Sequence, residues 1–454
     1  MDNQALFAAL EAAEQVIPVF ILDPILTRSP YKSEKRQAFL LANLGKLDAG
    51  LRTAGSQLII REGNPGMVLA ELLLEFQAQI IFAEPDYSPY ARQRDQKITD
   101  TLPILWVGSP SFRPPGSVLR ADGGAYTVFT PFSKAWKSLP LPSTSEVLPK
   151  PKKIPSPSGL TEHQPTALTD ISDLTLFPPG EEEAQRRLNK FCYSDAAKIE
   201  SYSDLRNRLD LEGTSKLSPY LRFGVISARQ AVVAALEALE AAPDQLSRKS
   251  AETWLNELIW REFYIHILYH FPQVRAENFR LANIAWRNNP KEFEAWCTGC
   301  TGYPGVDAAM RELVRTGWMH NRARMIVASF LTKDLLIDWR WGEKFFMQHL
   351  VDGDPAANNG GWQWTAGTGT DAAPYFRVFN PVTQSKKYDP DGIAIRRWLP
   401  ELKNVPTEFI HEPWDMSQVQ QQAYGCILGK DYPAAMIDHN WARQRVLQVY
   451  GKGK

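Results

Sequence analysis

Four short runs of this chain combine residue types that ordinary helices and loops seldom bring together. In Trp254-Leu-Asn-Glu257-Leu-Ile-Trp260-Arg261, helical spacing puts Trp254, Glu257 and Arg261 on one face, with Trp260 three residues from Glu257. A carboxylate between two indoles suits a flat heteroaromatic ligand with hydrogen-bonding edges, although an amphipathic helix with surface ion pairs reads the same way. In Gly213-Thr214-Ser215-Lys-Leu217-Ser218-Pro219, hydroxyls and a lysine stand just ahead of an expected helix start, where free backbone N–H groups favour an anion. A plain helix cap is the simpler alternative. In Trp318-Met-His-Asn321-Arg322-Ala-Arg324-Met325, the two-residue spacing sends the guanidiniums to different faces, one toward phosphate and one toward a buried acid. Residues 311–333 carry five Lys or Arg against Glu312 alone, a local basic patch that a solvated charged face would also produce.

The fourth run is Asp352-Gly-Asp354-Pro-Ala-Ala-Asn358-Asn359-Gly-Gly-Trp362-Gln-Trp364. It is too rich in Gly, Asn and Asp for an ordinary helix and too rich in Trp for an ordinary loop. No histidine cluster accompanies the two acids, so a backbone-rich pocket against a planar ligand fits better than a metal. Cys297-Thr-Gly-Cys300 has redox or metal-ligand spacing, but no second cysteine pair lies near it, and ordinary structural thiols are expected.

The elements that must position these residues follow from periodicity. Residues 1–109 alternate in a βα rhythm, with helices near 3–13, 33–54, 65–77 and 89–101 and strands near 16–23, 57–61, 79–85 and 104–108. That order predicts a parallel sheet in an α/β, Rossmann-like domain, though no GxGxxG or P-loop follows any strand. Nine prolines between 140 and 179 predict a largely extended connector over 110–182. From 183 to 454 the pattern is helical, with segments at 225–241, 249–269, 305–316, 320–337 and 342–349. The chain therefore divides into 1–109, 110–182 and 183–454.

Composition narrows the class further. The 454 residues carry no net charge, so any nucleic-acid surface must be a local patch. No apolar run reaches 18 residues, and the start, acidic and free of Lys and Arg, is unlike a targeting peptide; a cytosolic protein is expected. Of 14 tryptophans, 12 fall in residues 191–454, which suits either a large aromatic core or stacking and oxidisable rings.

Taken together, EGTSKLSPYL, WLNELIWREFY, GWMHNRARM, DGDPAANNGGWQW and GTDAAPYFRVFNP resemble, in order and spacing, the photolyase/cryptochrome family, and specifically its class I cyclobutane pyrimidine dimer photolyases. The resemblance spans nearly the whole chain. It implies FAD in the helical domain, held by Tyr202, Thr214, Ser215, Leu217, Ser218, Trp254 and Arg261, with Arg324, Asp352, Asp354 and Asn358 toward the flavin ring. It implies a cavity lined by Trp260 and Trp364, with Glu257, Asn321 and Met325 on the damaged bases. Trp286, Trp339 and Trp362 match the family's indole chain that re-reduces flavin under light. DNA would be met by Trp260, Arg322, Trp364 and Arg377, largely without regard to sequence, by a monomer away from membranes.

The family often carries a second antenna chromophore, a deazaflavin or a reduced folate; EPDYSPYARQRD at 84–95 is closer to deazaflavin-binding relatives. Family members usually place a strand and an RRDLRL-like segment before the Asp2-Asn3 with which this chain begins, so a first strand is expected to be missing and strand edges left open. Two rival functions share these features: a light-signalling cryptochrome without repair, and a flavin-binding nucleic-acid module without photochemistry. Asn358 and the WMHNRARM run favour repair over signalling.

Overall fold

The structure, a computed structural model, describes residues 1–157, 160, 174–194, 197–280, 284–371 and 377–451. Part of the proline-rich connector and the AAPYF of GTDAAPYFRVFNP lie outside the described residues. Contacts group the chain into two compact units: Met1–Ser203, Ser215–Pro272 and Val351–Ala356 form the first, and Asp204–Thr214, Gln273–Leu350 and Ala357–Lys454 the second. These units are discontinuous in sequence, whereas the division at 109 and 182 is sequential; one describes proximity and the other composition.

The first unit begins with the expected βα alternation: α1 (Gln4–Ala12), β1 (Val19–Leu22), α2 (Glu34–Thr53), β2 (Ile59–Glu62), α3 (Pro65–Glu75), β3 (Ile81–Ala83), α4 (Pro89–Thr101) and β4 (Ile104–Trp106). Each helix start is written in its cap. Asn3, Ser33, Asn64 and Ser88 accept backbone N–H groups of the first turn, and Pro65 and Pro89 open α3 and α4, where a missing N–H costs nothing. The strands pair in parallel, Val19 opposite Ile59 and Ile81 opposite Ile104. They make two separate two-stranded sheets, β1 with β2 and β3 with β4, in place of one continuous sheet. Every residue of β1 and β3 is accordingly half-buried, unlike strands covered on both sides.

Helices α5 (Phe129–Ser138), α6 (Glu181–Cys192), α7 (Ala228–Glu240) and α8 (Gln245–His270) also belong to the first unit. Helix α5 lies inside the stretch read as connector; its amphipathic FTPFSKAW run buries Phe132, Ser133 and Trp136. Asp244 caps α8 through the N–H of Ser247.

The second unit is helical. It includes α9 (Pro290–Thr298), α10 (Pro304–Thr316), α11 (Asn321–Ser329) and α12 (Trp339–His349), with α13 (Pro355–Ala366) mostly and α14 (His439–Gly451) wholly within it. Its core gathers Trp296, Met310, Phe330, Leu331, Trp339 and Trp362. The helix expected over 320–337 gives way to a π-turn at Phe330–Asp334, and Leu336 at φ +55°, a left-handed conformation, ends it. The Asp352–Trp364 run departs from its reading as neither helix nor loop. Residues 355–366 form a helix, because Pro355 suits a first turn, Asp354 accepts the N–H of Ala356 at 2.9 Å and apolar packing offsets the two glycines. Among the described residues no helix is long and apolar enough to cross a membrane.

Candidate active site

In the first unit, helix α8 carries Trp254, Glu257, Trp260 and Arg261 over two turns. Trp254 is buried against Phe191, ring centroids 5.1 Å apart, and Tyr202 meets the same Phe191 edge-on at 5.8 Å. Trp260 and Glu257 are half-buried. Arg261 donates to the Pro110 carbonyl at 3.1 Å and, at 3.4 Å, to that of Leu221; burial pushes its pKa down, with the nearby Asp354 charge opposing.

The short helix Ser218–Arg222 and the segment 351–354 meet within the first unit. Ser218 donates to Asp352 at 2.7 Å. Arg222 donates to the Gly353 carbonyl at 3.2 Å and lies 3.4 Å from Asp354. Arg36 belongs to this cluster as well. Burial pushes its guanidinium down to about 10, the Arg222 charge adds to the depression, and Asp352 opposes it. Neither Arg36 nor Arg222 was singled out in the sequence, because each sits inside a helix-like pattern where an arginine is unremarkable.

In the second unit, α11 places Asn321 one turn before Met325, with Nδ2 of Asn321 4.0 Å from the thioether sulfur. The two arginines take different partners. Arg322 makes two bonds to Asn207 Oδ1, at 2.8 and 3.1 Å, and lies over the Tyr388 ring at 4.7 Å. Arg324 turns back to the Met319 carbonyl at 2.8 Å. Asn358 anchors its amide by donating to the Glu343 carbonyl at 3.0 Å. Gly213 fits against the Leu205 carbonyl, which a Cβ would approach to 2.6 Å. Trp364 is half-buried and Arg377 exposed.

The three indoles of the expected relay have distinct settings. Trp362 is buried, edge-on to Phe346 at 5.0 Å and to Trp296 at 6.0 Å, and its N–H has no acceptor among the described residues. Trp339 is fully buried and donates to Asn278 at 2.9 Å. Trp286 is half-buried and meets Tyr450 edge-on at 6.3 Å. Trp296, an indole against Trp362, had no distinguishing signal in the sequence.

The donor set suits a flavin dinucleotide. In the first unit, the hydroxyls of Ser215 and Ser218 and the guanidinium of Arg261 are donors of the kind that meets phosphates and ribityl oxygens. In the second unit, the Asn358 amide is a neutral polar group whose orientation is fixed by its Glu343 bond. Cys192, Cys297, Cys300 and Cys426 are free thiols, and burial pushes Cys297 up to about 12, too high for a ready thiolate.

Comparison with known proteins places these residues in context. Residues 1–154 match the family model described as DNA photolyase, and residues 254–452 the one described as the FAD binding domain of DNA photolyase. A deoxyribodipyrimidine photo-lyase of Synechococcus is 40% identical, over 100% of this chain and 94% of its own length. Among solved structures, a class III photolyase from Agrobacterium tumefaciens superposes with a TM-score of 0.89 at 34% identity, covering 99% of this chain and 94% of that one. A cryptochrome from Synechocystis gives 0.85 at 29% identity, covering 99% and 96%.

Proposed function

The chain belongs to the photolyase/cryptochrome family, and from that premise we propose that it is a light-dependent DNA repair enzyme, a class I cyclobutane pyrimidine dimer photolyase. The observation that carries this reading is the likeness, along the whole chain, to a relative named deoxyribodipyrimidine photo-lyase. In the first unit, Tyr202, Ser215, Leu217, Ser218, Trp254, Arg261, Asp352 and Asp354 would hold FAD; in the second, Thr214, Arg324 and Asn358. Bound and reduced, FAD would supply under light an electron to the dimer and take it back once two cyclobutane bonds have broken.

The chain's own residues do the rest. A pyrimidine dimer stacks poorly, so turning it out of the duplex is cheaper than turning out an intact base. Trp260 and Trp364 offer faces on which it can lie, each stacking contact worth about 1–3 kcal/mol. Glu257, carrying its proton, would donate a hydrogen bond to a pyrimidine carbonyl and steady the negative charge gathering there. Asn321 and Met325 bear on the damaged bases. Arg322 and Arg377 neutralise flanking phosphates, which positions the strand and reads no sequence. Trp286, Trp339 and Trp362 pass an electron inward when the cofactor must be reduced. A second antenna chromophore, deazaflavin or reduced folate, belongs to the same reading, as do a monomeric state and a cytosolic location.

The test is a visible spectrum of the purified protein, followed by illumination under reducing conditions with a thymine-dimer oligonucleotide. A flavin spectrum with light-dependent loss of dimers is expected, and a further near-ultraviolet band would reveal an antenna. Flavin without repair would favour the signalling role of a cryptochrome, a reading kept in view by the Synechocystis structure. Repair of dimers by a protein whose sequence sorts with the Agrobacterium enzyme would overturn the class I assignment alone.

A further inference from the structure

Trp260 does not stand alone on α8. The ring of Phe129, at the start of α5, lies flat on it, centroids 3.7 Å apart and planes 4° from parallel. Both residues belong to the first unit. Phe263 meets both rings edge-on, at 5.5 Å from Trp260 and 5.9 Å from Phe129, and Tyr264 adds a tilted contact to the indole at 5.5 Å. A separation of 3.7 Å leaves almost no lateral offset, an arrangement that ring quadrupoles disfavour. The elements that carry the two rings hold them in this arrangement.

Those elements are tied along the length of α5. Glu262, buried on α8, accepts the indole N–H of Trp136 at 2.6 Å, the backbone N–H of Arg113 at 3.2 Å and that of Phe112. Lys137 pairs with Glu252 at 2.8 Å, and Ser133 donates to Asn256 at 3.3 Å. A buried carboxylate with several N–H donors fixes a helix far more firmly than a surface pair. Helix α5 is thus strapped to α8 one residue from the Arg261–Trp260 step, and Phe129 is the end of the strap.

We propose that Phe129 is a positioning residue for damaged-base recognition: it covers one face of Trp260 and locks the indole so that a single face remains for a turned-out pyrimidine dimer. The proposal rests on the repair function inferred above. An indole fixed before binding spares the complex the ordering of that side chain, worth about two- to tenfold in affinity. Replacing Phe129 should weaken binding of damaged DNA by about that factor and leave the bound complex's repair yield per photon unchanged. Affinity for intact DNA, set by phosphate contacts, should not move.

The experiment uses the full-length, flavin-loaded protein and three substitutions: Phe129→Leu, which keeps apolar bulk and removes the flat ring, Phe129→Tyr, which restores it, and Trp260→Phe, which identifies the Trp260 signal. Two readouts are taken: dissociation constants for dimer-containing and intact oligonucleotides in the dark, and the fluorine NMR spectrum of protein labelled with 5-fluorotryptophan. The expected result is a sharp Trp260 resonance in the parent and Phe129→Tyr, broadened or split in Phe129→Leu, with the loss of affinity confined to damaged DNA. An unchanged Trp260 resonance in Phe129→Leu overturns the positioning role, as does a loss of affinity that Phe129→Tyr fails to restore. If the parent itself does not distinguish damaged from intact DNA, the repair reading fails, while the resonance still decides whether Phe129 orders Trp260.

Discussion

Glu257 and Glu262 sit five residues apart on α8 and meet opposite surroundings. Glu262 is buried, and burial pushes its carboxyl pKa up while the N–H groups of Trp136, Arg113 and Phe112 oppose the rise. Glu262→Gln would turn an amide NH2 toward donors, so denaturant titration should record a loss of about 1–3 kcal/mol. Glu257→Gln should leave that stability in place and lower repair yield per absorbed photon; an unchanged yield would remove Glu257 from the chemistry. His266 offers a pH test on the same helix. Burial, with the His270 ring charge adding to it, pushes its pKa down to about 4 from 6.5. A depressed pKa means stability that is whole above 6.5 and declines as pH falls toward 4. His266→Leu should flatten urea midpoints across that window. The Trp254–Arg261 run displayed the site-bearing face of α8 in its spacing, yet Glu262 and His266 looked there like ordinary members of an amphipathic repeat. The donors to Glu262 come from residues more than a hundred positions away, and no local pattern encodes such a meeting.

Helices α12 and α13 approach so closely that a Cβ on Gly342 would lie 2.1 Å from the Trp362 ring. The glycine is needed for lack of bulk, since its φ is unexceptional. Gly342→Ala must therefore displace the indole or the helix. A cost of about 1–3 kcal/mol is expected, together with slower light-driven flavin reduction, measured by absorbance under continuous illumination. Trp362→Phe, which keeps an apolar aromatic ring but not the indole, should abolish that reduction and spare repair once the flavin is reduced chemically. Fast photoreduction in this variant would rule out the relay. Regular helices such as α2, α8 and α10 were legible from apolar spacing and caps. Helix α13 was not, because Asn358-Asn359-Gly360-Gly361 has poor intrinsic propensity and is held helical by packing. Helix α5 was hidden for another reason: prolines nearby coloured a whole stretch whose FTPFSKAW run is amphipathic.

Across the whole molecule the balance of charge is even, so DNA affinity must come from local phosphate contacts. Arg322→Ala and Arg377→Ala should each lower the slope of log affinity against log salt by about 1, and equal slopes would remove these residues from the interface. One buried cation adds its own pH dependence to stability. Lys333 donates to the Ala366 carbonyl at 2.9 Å, its ammonium 3.7 Å above the Tyr450 ring, and burial pushes it down to about 7 from 10.5. The contribution of Lys333 to stability should climb as pH rises from 7 to 10.5 and be flat below 7, and Lys333→Met should abolish that climb. At this scale the βα alternation followed by helices was readable, while the grouping of residues 204–214 with the later helices was not, since it depends on how the chain doubles back. The split of the strands into two pairs carries a practical corollary. An open edge invites a foreign extended chain to dock and then template further growth, but edges of four and three residues offer such a chain only a handful of hydrogen bonds. Concentrated stocks of the folded protein should thus stay free of fibrillar seeds, with turbidity first arriving at the temperature where the helices themselves melt.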